Sequence, residues 1–135
     1  IGRAGLLRVR DVMRTGEALP LVGSDSPLRQ TLHVILDKGL GLVLVSGPDG
    51  KLEGILTDGD FKRLILRDPQ FLERTVGEVM TRGPKTVAAD AYLTEAVRRM
   101  EENPGGSITA LAVVDSRGRP LGVVHLHDCL KAGLR

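Results

Sequence analysis

Apolar residues along the chain fall into short blocks of two kinds, helical and extended, and the blocks run through one cycle twice. In the first cycle Leu19-Pro20-Leu21-Val22 reads as a short strand. Leu28, Leu32, Ile35 and Leu36 then recur at helical spacing and predict one buried stripe. Ser26-Pro27 suits its start, a capping residue before a proline at the first helical position. Gly39 fits the left-handed residue that ends such a helix. Residues 42–45 form an apolar run of strand length, Gly47-Pro48-Asp49-Gly50 is turn chemistry, and 52–56 make a further strand. A short helix from Asp60 carries Phe61, Leu64 and Ile65. The second cycle repeats the order: strand Thr86-Val87-Ala88, a helix capped by Asp90 with inner face Leu93, Ala96, Val97 and Met100, and a break at Pro104-Gly105-Gly106. Strand 111–114, turn 115–119, strand 121–124 and a helix from His127 complete it.

Each cycle is thus β-α-β-β-α, which predicts an α/β fold of the α+β kind, built from tandem repeats with pseudo-twofold symmetry. The repeats span 9–66 and 76–134, joined by a linker at 67–75. Each opens on a similar phrase, Val9-Arg10-Asp11-Val12-Met13 and Val76-Gly77-Glu78-Val79-Met80, the latter expected to make a short helical turn. Each closes on a glycine-to-aspartate phrase, Gly54-Ile55-Leu56-Thr57-Asp58-Gly59-Asp60 and Gly122-Val123-Val124-His125-Leu126-His127-Asp128. Met13 to Met80 is a shift of 67 residues and Gly54 to Gly122 a shift of 68, so the copies stay in register but for one inserted residue. A half of roughly 60 residues buries little on its own, so the two sheets are expected to pack together and leave clefts between the halves.

Composition narrows the function. At 135 residues, 41% hydrophobic and 27% charged, the chain reads as soluble and globular. A net charge of +2 is too small for a nucleic-acid surface. Phe61, Phe71 and Tyr92 are the only aromatic residues, too few for a base-stacking platform. Cys129 is the single cysteine, so no internal disulfide or thiolate cluster forms, and a cytoplasmic address fits. No apolar run reaches the length of a membrane span. The chain opens at Ile1 rather than Met, as a piece of something longer would.

The paired units, opening Val-x-x-Val-Met and closing on a glycine, two apolar residues and an aspartate four positions after them, resemble a tandem pair of CBS domains (a Bateman module) along nearly the whole chain. The phrases Met13-Arg14-Thr15-Gly16, Thr57-Asp58-Gly59-Asp60-Phe61-Lys62-Arg63 and His125-Leu126-His127-Asp128 are similar to those of the C-terminal half of bacterial arabinose 5-phosphate isomerases. That resemblance implies a regulatory module, not an enzyme on its own, whose N-terminal sugar-isomerase domain lies outside this chain. It implies a role in 3-deoxy-octulosonate (Kdo) and lipopolysaccharide synthesis. The ligand it suggests is a nucleotide or nucleotide sugar, with CMP-Kdo first and CMP, AMP, ADP or ATP as alternatives, and no obligatory cofactor. It also implies homo-oligomers formed through the helices, or an assembly module with no small ligand.

Thr57 and Asp60 stand where a strand gives way to a helix. Amides there suit a phosphate, a threonine hydroxyl can donate to one, and a carboxylate can accept from both hydroxyls of a ribose. The blander alternative is that Asp60 only caps the helix and Thr57 only satisfies local backbone. The resemblance joins Thr57, Asp58, Asp60 and Arg63 in a first cleft with Leu40, Gly41, Arg82, Lys85 and Thr86, and with Pro84 and Val87. A second cleft joins His125, His127 and Asp128 with Thr15, Leu19, Pro20, Ser107 and Thr109, and with Ile108. There His125 replaces Thr57, a departure from the nucleotide pattern. On a strand, His125 and His127 would share one face, yet no third metal ligand accompanies them. Asp58 and Asp60 could suggest paired carboxylates for acid–base work, but neither a nucleophile nor an oxyanion donor accompanies them. Arg98, Arg99, Glu101 and Glu102 read as the solvated side of a helix, and Cys129 as core.

Overall fold

Both cycles appear in the structure, a computed structural model that describes residues 6–133; position 134, the predicted end of the second repeat, lies outside the described residues. The chain divides into two compact units. One is Glu17–Pro84, and the other gathers the described residues up to Gly16 with those from Lys85 onward.

In Glu17–Pro84 the order is β1 (Leu21–Gly23), α1 (Leu28–Lys38), β2 (Leu42–Ser46), β3 (Leu52–Thr57), α2 (Asp58–Arg67), α3 (Val76–Val79) and β4 (Thr81–Arg82). The sheet runs β1-β2-β3-β4, with β1 parallel to β2 and the later pairs antiparallel. The other unit repeats the plan with β5 (Thr86–Ala88), α4 (Leu93–Glu101), β6 (Ala110–Val114), β7 (Pro120–His125) and α5 (Leu126–Lys131). Its sheet runs β5-β6-β7, again parallel then antiparallel. In β2 and β6 the central residues are buried on both faces, which is why those segments are unbroken apolar runs. Alternate residues, Val43 and Val45 in one and Leu111 and Val113 in the other, join the cores beneath the helices.

The helix faces differ in part from expectation. Leu28 and Ile35 are buried and Leu32 is half-buried, but Leu36 is exposed. Thr31 takes the inner position instead, and its hydroxyl donates to the Pro27 carbonyl at 3.1 Å. At 100° per residue, position 36 turns away from the stripe of 28, 31 and 35. Ile65, next to buried Leu64, is exposed for the same reason. Leu93, Ala96, Val97 and Met100 all face the core. Gly39, at φ 71°, ends α1 as expected.

The starts of α1 and α4 also differ. Neither Ser26 nor Asp90 caps; Pro27 and Tyr92 are the capping positions, without side-chain bonds. The first helical amides find distant carbonyls instead, Leu28 N donating to Arg74 O at 3.0 Å and Leu93 N to Leu7 O at 2.8 Å.

Those two bonds belong to an exchange. The opening phrase of the first repeat packs within the unit formed by the second, where Val9 is a core residue. The opening phrase of the second repeat packs within Glu17–Pro84, where Val76 and Met80 are core residues. Arg14 exchanges both backbone hydrogen bonds with Val123, at 2.9 and 3.1 Å. Thr81 and Arg82 pair likewise with Ile55 and Gly54. A repeat in sequence and a compact unit in space are therefore different divisions of this chain.

The glycine that opens each closing phrase permits this approach. A Cβ on Gly54 would lie 2.5 Å from Met80 Sδ and 2.8 Å from the Thr81 carbonyl oxygen. On Gly122 it would lie 2.6 Å from the Arg14 carbonyl oxygen. A backbone carbonyl inside a ladder cannot step aside, so Gly54→Ala is expected to cost about 1–3 kcal/mol through overpacking. Urea unfolding of the two proteins would measure it, and an unchanged midpoint would refute the packing argument.

Candidate functional site

Each repeat places its aspartate in the first turn of the helix after the last strand, but the two starts are wired differently. At α2 the capping residue is Thr57. Asp60 N donates to Thr57 Oγ1 at 3.2 Å, and Thr57 N donates to Asp60 Oδ2 at 2.9 Å, a reciprocal capping box. The helix thus begins at Asp58, earlier than expected. Asp58 N donates to the Gly41 carbonyl at 2.9 Å, which ties the helix start to the entry of β2. Gly41 has φ 73°, and a Cβ there would come within 3.2 Å of the Asp58 carboxylate. The remaining Asp60 oxygen, Oδ1, accepts from Arg63 Nη2 at 2.7 Å, and the Arg63 side chain is 66% exposed.

Thr57, Asp58, Asp60, Arg63, Leu40, Gly41 and Arg82 lie in one unit, whereas Lys85 and Thr86 belong to the other. Leu40 is buried, while Arg82 is exposed and pairs through its backbone with Gly54. The Thr86 carbonyl accepts from Arg99 Nη1 at 2.8 Å. A cavity of about 610 Å³ in that unit is lined by Arg10, Thr86, Asp90, Arg99 and Leu121 among others. Of the predicted site residues only Thr86 lines it, together with Val87 beside it. Its volume therefore carries no argument for the helix-start sites.

At α5 the capping residue is His125, whose Nδ1 accepts from His127 N at 3.1 Å. With Nδ1 an acceptor, the neutral ring carries its proton on Nε2. Burial lowers the His125 pKa, so the ring stays neutral near pH 7. Leu126 N donates to the Thr109 carbonyl at 2.7 Å, matching the bond from Asp58 to Gly41. Asp128 makes no cap. Both its oxygens accept from Arg14, Oδ2 from Nε at 2.9 Å and Oδ1 from Nη2 at 3.1 Å. The Arg14 hydrogen bonds hold the Asp128 carboxyl below its ordinary pKa and outweigh the opposing effect of burial.

His125, His127, Asp128, Thr15, Ser107 and Thr109 lie in the same unit, and Leu19 and Pro20 in the other. Thr15, Ser107 and Thr109 are exposed; Pro20 is buried, and its carbonyl accepts from Leu44 N. His125 and His127 do not share a strand face. The strand ends at His125, and His127 stands on the helix, because the His125 ring bonds the amide that begins the turn. Among the described residues no three His, Cys, Asp or Glu side chains converge as a metal site requires.

Sequence reasoning missed Arg14. It sits in the opening phrase, over a hundred positions from Asp128, and only the exchange of opening phrases brings the two together. The available signal was the repeat itself: Arg14 occupies the place that Thr81 holds in the other copy.

The ion pair has a pH signature. Because the folded Asp128 pKa is depressed, its contribution to stability is present above the unfolded carboxyl value of about 3.9 and is lost as pH falls through the folded value. The stability gap between the wild type and Asp128→Asn is expected to close in acid, as pH falls below about 4 and through the depressed folded value. Urea midpoints measured across that range would test this, and a gap that persisted unchanged at the acid end would refute it.

Comparison with known proteins places these features in a family. The CBS domain profile matches residues 9–67 and 76–135. Arabinose 5-phosphate isomerase KdsD of Pseudomonas aeruginosa is 43% identical over 134 residues, 99% of this chain and 40% of the relative. The chain thus spans about 40% of the length of the curated relatives it matches. Among solved structures, CBSX2 of Arabidopsis thaliana in complex with AMP superimposes with a TM-score of 0.78 at 23% identity, covering 93% of this chain and 95% of that one. The CBS domain pair of protein MJ0100, in complex with 5-methylthioadenosine and S-adenosyl-L-methionine, gives 0.79 at 21% identity, with 93% and 94% covered. Repeat, topology and profile agree, and the chain belongs to the CBS domain family, of which it carries two copies.

Proposed function

We propose that this chain is a ligand-sensing regulatory module, the CBS pair of an arabinose 5-phosphate isomerase, and that it binds a nucleotide or nucleotide sugar at Thr57 and Asp60. The observation that carries this reading is the start of α2. There a 21%-exposed Asp60 carboxylate, in the first turn of a ten-residue helix, offers Oδ1 to an arginine of its own helix. A ribose diol can take the place of that arginine, because an exposed pair three residues apart on one helix contributes only about 0.2–0.5 kcal/mol. Arg63, once released, can meet a phosphate or an acidic sugar. The relationship to KdsD favours CMP-Kdo, a nucleotide sugar joining all three groups, while the AMP and S-adenosyl-L-methionine complexes of distant CBS pairs favour adenosine ligands as the alternative. In this reading the catalytic sugar-isomerase domain is a separate part of a cytoplasmic enzyme.

A second reading, assembly through the helices, draws on Leu36 of α1 and Ile65 and Leu66 of α2, which are exposed despite their size, Leu66 at 89%.

Calorimetry with CMP-Kdo, CMP, AMP and ATP would rank the ligands. Asp60→Ala is expected to weaken the true ligand at least tenfold, the loss of a charge-assisted hydrogen bond worth roughly 1.5–3 kcal/mol. Unchanged affinity in that variant would remove the site. Absence of heat with all four compounds, together with a dimer in sedimentation, would favour assembly.

A further inference from the structure

We infer that Arg14 is the residue that makes the two repeats unequal: it closes the helix-start site of the second repeat to a ribose diol, so that the chain takes one nucleoside ligand rather than two.

The inference rests on the nucleotide reading above, but its evidence is separate. A cis-diol bridges a carboxylate by donating one hydroxyl to each oxygen, along the outer edge that a bidentate guanidinium also uses. At Asp128 that edge is taken. Arg14 Nε and Nη2 meet Oδ2 and Oδ1 at 2.9 and 3.1 Å, and the Asp128 side chain is only 16% exposed. At Asp60 the arginine reaches Oδ1 alone, from an exposed position on the same helix.

The two arginines also differ in how firmly they are held. Arg63 can swing into solvent by rotating its own side chain. Arg14 is less exposed, at 38% against 66%, and must break two hydrogen bonds to Asp128 rather than one to leave. Thr81 is the comparison built into the molecule. It pairs with Ile55, two residues before the capping position Thr57, just as Arg14 pairs with Val123, two residues before the capping position His125. A threonine there is too short to span an aspartate edge; an arginine is not.

The capping chemistry makes the closure possible. Thr57 draws Asp60 into a capping box, which fixes one carboxylate oxygen on the backbone. His125 takes the amide of His127 instead, so Asp128 has no backbone duty and turns both oxygens to Arg14.

Arg14→Thr should give the second repeat the arrangement of the first. The test is calorimetric stoichiometry with AMP and CMP as probes on the whole chain. Counted at the wild-type affinity, the wild type is expected to bind one nucleotide per chain and Asp60→Ala none. Arg14→Thr should bind two, Arg14→Thr with Asp60→Ala one, and Arg14→Thr with Asp128→Ala one. Arg14→Gln, which keeps most of the side-chain length but loses the charge, serves as a second opening variant should the threonine variant prove unstable. A wild type that binds two, losing one in Asp128→Ala, would overturn the inference, as would folded Arg14→Thr and Arg14→Gln variants that still bind one. If the wild type binds none while Arg14→Thr binds one, the closure stands and the first-site reading falls. If no variant binds either probe, both fall.

Discussion

The structure turns on the close antiparallel approach between the opening phrase of one repeat and the closing strand of the other, over a glycine with no side chain. At Gly54 and Gly122 the partner carbonyl lies where a Cβ would have to go. That single contact does several things at once. It carries Val9 and Val76 into cores formed by the other copy, and it brings Leu7 and Arg74 carbonyls to the starts of α4 and α1. It also sets residues 14 and 81 beside the helix starts that bear the aspartates. Arg14 therefore reaches Asp128 only through this exchange.

Within that shared frame, a change at one capping position redirects a whole cluster. Threonine reaches the amide three residues on, whereas the imidazole of His125 reaches the amide two residues on. The first choice recruits Asp60 to the backbone; the second releases Asp128 to an arginine. Symmetry of backbone and asymmetry of chemistry are both products of this exchange of partners.

Much of the fold was legible because the apolar blocks of β2, β6 and α4 are long and uninterrupted for their type, and burial leaves little choice of element. Errors gathered where the side chain's own preference met a distant backbone. Ser26 and Asp90 are good capping residues, yet the amides they would serve are taken by carbonyls from other segments. Leu36 and Ile65 are apolar but lie one position off the buried stripe, and the turn angle of the helix, not hydrophobicity, decided their exposure. Thr31 went unnoticed for the converse reason: a hydroxyl satisfied by the carbonyl four residues back is as acceptable in a core as a methyl group.

By itself the sequence determined the duplication, the element order, the apolar stripes and the two aspartates at matching places, because these follow from local period and composition. Only the tertiary structure decided what each aspartate faces. Hydrogen bonds to a carboxylate depend on which groups arrive within about 3 Å of it, and the arrival of Arg14 at Asp128 depends on a strand pairing between segments more than a hundred residues apart. Periodicity cannot encode that meeting; the glycine that permits it can be seen in the sequence, but its partner cannot.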